Sequence, residues 1–145
     1  MSYERLMREH ALIENAVKHL QVLVAAETPD VGVVVIALSD LSGELDAHLA
    51  HEDSFIYPRM IQGDNELLRD AANAFAAEFA SLRVDWMMYL GEWNGECIAA
   101  DWAHFREVTV EILDRLQRRI DAENNILYTV ALRENVFALR DRNAA

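Results

Sequence analysis

The stretch HLAHEDSFIYP, residues 48–58, sets two imidazoles and two carboxylates just ahead of an apolar, proline-ended segment. Read as a helix, it places His48 and Glu52 one turn apart on a single face. Followed upstream, that face carries Val34, Leu38, Leu41 and Leu45, and downstream it reaches Phe55. It is an inward seam with polar members. A chelating pair on such a seam needs other helices to face it.

Three more segments show the same alternating steps of three and four, as the buried stripe of a bundle helix does. One carries Tyr3, Leu6, His10, Ile13, Val17, Leu20 and Val24; another Leu68, Ala72, Phe75, Phe79, Leu82, Trp86, Tyr89 and Trp93; the last Trp102, Phe105, Thr109, Ile112, Leu116, Arg119, Glu123 and Ile126. Strand alternation fits none of them. The breakers AETPDVG (26–32), IQGDN (61–65) and GEWNGE (91–96) separate the four. Helices are therefore expected over about 2–26, 31–58, 65–92 and 98–127. Short connections make sequential neighbours antiparallel. The fold class that follows is all-α, an up-down-up-down antiparallel four-helix bundle. A short C-terminal helix is expected in TVALRENVFALRDRNAA (129–145).

Length and composition agree with one domain over residues 1–145. A chain of 145 residues, 52% of them hydrophobic, can bury a real core. The net charge of −12 argues against a broad basic face for nucleic acid or anionic lipid. The charged, amphipathic N-terminus lacks a signal peptide's apolar core, and no run of about 18 apolar residues could cross a membrane. The expectation is a soluble cytoplasmic protein. A single cysteine, Cys97, excludes an internal disulfide and a thiolate cluster. Apolar outer positions leave room for a homodimer.

The polar seam members are His10, His48, Glu52, Arg119 and Glu123. In an antiparallel bundle, with about 1.5 Å of rise per residue, they fall in one layer near the end that holds Pro58. Charged groups meeting there need pairing or a metal ion, because an isolated buried ion is costly. Two imidazoles and two carboxylates suit Fe(II), Zn(II) or Mn(II) better than the oxygen-preferring Mg(II) or Ca(II). His10, His48, Glu52 and Glu123 are therefore the candidate metal ligands. His51 is one step off the seam and reads as a flanking group; Glu14 and Glu78 read as surface charges, His19 as solvated and His104 as structural.

REHALIE (8–14), HLAHEDSFIYP (48–58) and RRIDAENNILY (118–128) together resemble the hemerythrin-like, HHE cation-binding family over essentially the whole chain. The resemblance implies a bundle that holds two iron ions bridged by two carboxylates. His10 and His48 match ligands of the first iron, and Glu52 and Glu123 match the bridges. The ligands of the second iron do not match. Phe79 and Arg83, in AAEFASLR (76–83), and Arg119 stand where the family has histidines. Two bridging carboxylates about 4 Å apart without the second metal would repel by roughly 4 kcal/mol at an effective dielectric of 20. Arg119, on the seam, and Arg83, beside it, are candidates to replace the missing cation.

The function expected is metal binding at a reduced, mononuclear centre, one iron per chain at most, with zinc or manganese allowed by the same donors. Its role would be metal handling or oxygen or redox sensing. The alternative is a metal-free helical interaction module that has lost the diiron centre. An enzyme ranks last, because no separate nucleophile and base are visible and no catalytic residue is assigned.

Overall fold

The computed structural model describes residues 2–133, and all of the regular structure in them is helical. The order is α1 (Tyr3–Val24), α2 (Val31–His51), a π-helical turn (Glu52–Ile56), α3 (Tyr57–Gln62), α4 (Glu66–Glu78), α5 (Leu82–Glu92), α6 (Gly95–Ala100), α7 (Trp102–Ala122), a second π-helical turn (Glu123–Leu127) and α8 (Tyr128–Arg133). Local chemistry sets the starts. The side chains of Ser2, Asp30, Asn65, Asn94 and Asp101 each accept from a backbone N–H in the first turn of α1, α2, α4, α6 and α7. The C-terminal end of α1 is held by α7: Arg106 Nε donates to the Val24 carbonyl at 2.6 Å, and Trp102 Nε1 to that of Ala26 at 3.0 Å.

The seams are buried as expected along most of their length. Two positions break the pattern in the same way. Phe55 and Ile126 are more than half exposed, while Ile56, Tyr57, Leu127 and Tyr128 are buried instead. Each position lies three residues after a seam glutamate, inside a π turn. The extra residue of that turn delays the inward face by one step.

The π turns also explain two boundary differences. The helix expected to stop near Pro58 continues through α3 to Gln62, because Pro58 falls in the first turn after the π segment, where its missing N–H costs nothing. The helix expected to stop near 127 runs on through α8 to Arg133, so the first residues of the expected C-terminal helix extend it; positions 134–145 of that expectation lie outside the described residues. The third helix is broken by a turn at 79–81, where Phe79 leaves helical geometry (φ −108°, ψ 14°). The fourth is interrupted at Asp101, which closes α6 and caps α7.

Two apolar clusters form the core. The larger includes Ile13, Leu45, Leu49, Leu82, Leu116 and Ile120. The smaller includes Leu6, Ile56, Tyr57, Phe75, Leu127 and Tyr128. His10, His48, Glu52, Arg119 and Glu123 are buried between them in sequence on every helix that carries them. A polar layer thus sits between two apolar ones.

Candidate metal centre

Four donors converge in that layer. His10 Nε2, His48 Nε2, one oxygen of Glu52 and one of Glu123 all lie within 4.8 Å of one another. The two Nε2 atoms are 2.9 Å apart, His10 Nε2 is 2.8 Å from Glu123 Oε2, His48 Nε2 is 3.5 Å from the same oxygen, and His48 Nε2 meets Glu52 Oε1. Neighbouring donors around one first-row ion with bonds of about 2.1 Å are about 3.0–3.4 Å apart. The residues therefore fit one such ion. All four are at most 2% exposed, so no water shell shares their charge.

Outer contacts fix the ring orientations. His10 Nδ1–H donates to Asn124 Oδ1 at 2.6 Å and His48 Nδ1–H to Glu9 Oε2 at 3.3 Å, which turns both Nε2 atoms inward. Glu9 also accepts from His51 Nδ1 through its other oxygen, at 3.3 Å. His51 is thus a flanking residue outside the cluster.

Each glutamate has a second side. Arg119 donates from Nε to Glu123 Oε1 and from a terminal nitrogen to Glu52 Oε2, both at 3.1 Å. Its side chain is 10% exposed, and its guanidinium carbon lies 5.5 Å from the centre of the Phe75 ring and 6.0 Å from that of Phe79. Tyr57 O–H contacts the same two oxygens at 2.9 and 3.1 Å, while Tyr128 O–H contacts the histidine-facing pair, Glu52 Oε1 and Glu123 Oε2, at 2.9 and 3.2 Å. The carboxylate pair is therefore two-faced. One face turns to imidazoles and Tyr128, the other to a guanidinium and Tyr57.

The π turns build this arrangement twice. His48, Glu52 and Tyr57 are spaced like Arg119, Glu123 and Tyr128. In each π turn the tyrosine N–H bonds the glutamate carbonyl five residues back. The wider turn brings residue i+5 round to the face of residue i, so the phenol reaches the carboxylate. The two tyrosines close the endings EDSFIY and ENNILY, a visible repeat, but a count in steps of three and four gives them no role. Glu9 and Asn124 lie off the seams and carry no sequence signal.

Arg83 is not in the layer. It lies beyond the 79–81 turn, half exposed, paired with Asp53 at 2.8 Å. Glu14 accepts from Gln117 at 3.3 Å, and Glu78, His19 and His104 are exposed, all outside the cluster. Of the two arginines, only Arg119 reaches the carboxylates.

Electrostatics follow the contacts. Burial lowers the His10 and His48 pKa values, but hydrogen bonds to Glu123 and Glu52 more than offset it and raise them to about 9 and about 11. Burial would raise Glu52, yet hydrogen bonds to His10 and His48 hold it well below the usual carboxylate range. Burial first, then the two carboxylate charges, push Tyr57 and Tyr128 far up, so both phenols stay protonated as donors. Tyr128→Phe removes a donor shared by both glutamates and should cost about 1.5–3 kcal/mol, the range for hydrogen bonds to charged groups. Thermal and urea unfolding of the variant will test this; an unchanged midpoint would mean the phenol bonds are not formed in solution.

The Hemerythrin HHE cation binding domain family profile matches residues 1–131. No curated protein and no solved structure matches the chain.

Proposed function

Because the chain belongs to the hemerythrin HHE cation-binding family, we propose that it binds one divalent transition-metal ion per chain through His10, His48, Glu52 and Glu123. Iron is the first choice, with zinc and manganese as competitors for the same donors. The observation that carries this reading is the convergence of four buried donors at single-ion spacing, backed by outer partners that turn both Nε2 atoms inward. Arg119 stands on the other face of the carboxylates, where a second ion would need ligands. The architecture is read as an up-down-up-down bundle within one domain. In support, α1 runs from the smaller apolar cluster to the larger, α2 runs back, and the later helices repeat the alternation.

Bound there, the ion would supply Lewis acidity and, if it is iron, one-electron redox chemistry. The residues orient the donors, exclude water and hold the site's charge in balance. Glu9, Glu52 and Glu123 are three anions. A divalent ion with Arg119 balances them, and so do two imidazolium groups with Arg119. The exchange of one ion for two protons is electroneutral, which suits a protein for metal handling or redox sensing in the cytoplasm. No helix among the described residues is long and apolar enough to cross a membrane. The same balance gives the second reading its support: as a metal-free helical module, the cluster satisfies its own polar groups.

Elemental analysis of protein purified without chelator separates the two readings. About one metal per chain is expected; a clean absence after reloading with Fe(II), Zn(II) and Mn(II) would leave the metal-free module, and two irons would refute the mononuclear site.

The metal-free form has its own pH signature. The histidines titrate from an ordinary 6.5, so their stabilising contribution is complete below about 6.5 and is lost as pH rises through about 9 and about 11. Glu52 acts in the opposite sense: its contribution holds above its ordinary 4.5 and is lost as pH falls. The metal-free protein should therefore be most stable at about pH 5–6.5 and weaken toward pH 9 by a few kcal/mol. Metal affinity should rise over the same interval, because the ion must displace the protons. Urea midpoints against pH, with and without metal, will test both trends; a metal-free midpoint that does not fall above neutrality would contradict them.

A further inference from the structure

Beside the centre, a cleft of about 190 Å³ opens on the Arg119 face. Phe75, Phe79, Ala80 and Val84 give it apolar walls, and the half-exposed Asp53–Arg83 pair stands at its rim. Arg119, nine-tenths buried, lies at its inner end. A guanidinium has five N–H donors. Here Nε and one terminal nitrogen serve the glutamates, while the remaining nitrogen, Nη1, has no hydrogen-bond partner among the described residues. Nη1 and the second proton of its neighbour make a parallel donor edge, the geometry that takes a carboxylate bidentately.

We propose that this cleft binds a small monocarboxylate with an apolar body, its carboxylate seated on the free edge of Arg119 and its body against Phe75 and Phe79. The volume equals about six water molecules at roughly 30 Å³ each, enough for a single-ring or short aliphatic acid. An anion is favoured over a neutral acceptor because charge-assisted hydrogen bonds are about twice as strong. Glu52 and Glu123 divide their charge between Arg119 and the two histidines. A cation is excluded by the guanidinium itself. The site makes no direct use of the metal, so it stands or falls separately from the metal reading.

The test is a titration of the purified protein with benzoate, benzamide and benzylamine, followed by calorimetry and by the Arg Nε–H signals in ¹⁵N NMR. Benzoate should bind saturably and move the Arg119 signal, benzamide should bind at least about tenfold more weakly, and benzylamine should not bind. Ala80→Phe, which fills the cleft, should weaken benzoate at least about tenfold while the metal content per chain stays as in the unmodified protein. Should that variant misfold, Val84→Trp fills the cleft from another lining position. Equal binding of the three probes, benzoate affinity unchanged in the filled variant, or no saturable binding would each overturn the proposal.

Discussion

Arg119→Ala will lower stability by about 3–5 kcal/mol at neutral pH, the cost typical of removing one partner from a buried ion cluster. The guanidinium holds both glutamates at 3.1 Å and packs on Phe75 and Phe79. Without it, Glu52 and Glu123 keep Tyr57 on that face but lose the fixed charge between them. A water-filled cavity replaces the cation and solvates the carboxylates incompletely. The penalty should shrink as pH falls far enough to protonate Glu52, well below the usual carboxylate range. Arg119→Lys should recover only part of the loss, since an ammonium cannot span two carboxylates as a planar fork does. Urea unfolding of wild type, Arg119→Ala and Arg119→Lys at neutral and at strongly acid pH is the measurement. An alanine variant as stable as wild type at neutral pH would mean that the glutamates are neutralised by other means and that Arg119 does not replace a cation.

His48→Ala will weaken metal binding by more than about 100-fold. Loss of a group that merely supports a ligand costs about 10–100-fold in affinity, and His48 stands among the donors themselves. The change also leaves Glu52 without its nearer imidazole and Glu9 without one of its two. Arg119→His should work the other way. It removes the cationic plug and supplies an imidazole one turn before Glu123, on the face of the carboxylates opposite His10 and His48. The variant should take up more than one metal per chain at saturation. Competition against a chromophoric chelator, with metal counted per folded chain, reads both effects. Wild-type affinity in His48→Ala would remove His48 from the ligand set.

What the sequence made legible was the part governed by helical period. The seams, the burial of His10, His48, Glu52, Arg119 and Glu123, and their shared level all follow from steps of three and four. What it concealed follows from departures from that period. A π turn adds one residue without any residue type that demands it, so Phe55 and Ile126 looked like core and are exposed. The tyrosines five residues after each glutamate fall off the seams in that count, although their hydroxyls contact both carboxylates. Arg83 looked equivalent to Arg119 by proximity to a seam, but the turn at 79–81 intervenes and it pairs with Asp53 at the surface. Glu9 sits outside any buried pattern because it reaches in from the edge of α1.

The two π turns also have a meaning in the currency of insertion and deletion. Each is one residue longer than the α-helical turn it replaces. Deleting Ser54 would return its segment to α geometry and swing the Tyr57 phenol about 100° around the helix axis, away from Glu52. Pro58 would move into a helix interior, where proline costs about 3 kcal/mol. The downstream helix would still have a continuous apolar stripe, yet rotated out of register with its neighbours. The gap between a helix that only packs and one that hands a phenol to a buried carboxylate is thus a single residue, present once ahead of Tyr57 and once ahead of Tyr128.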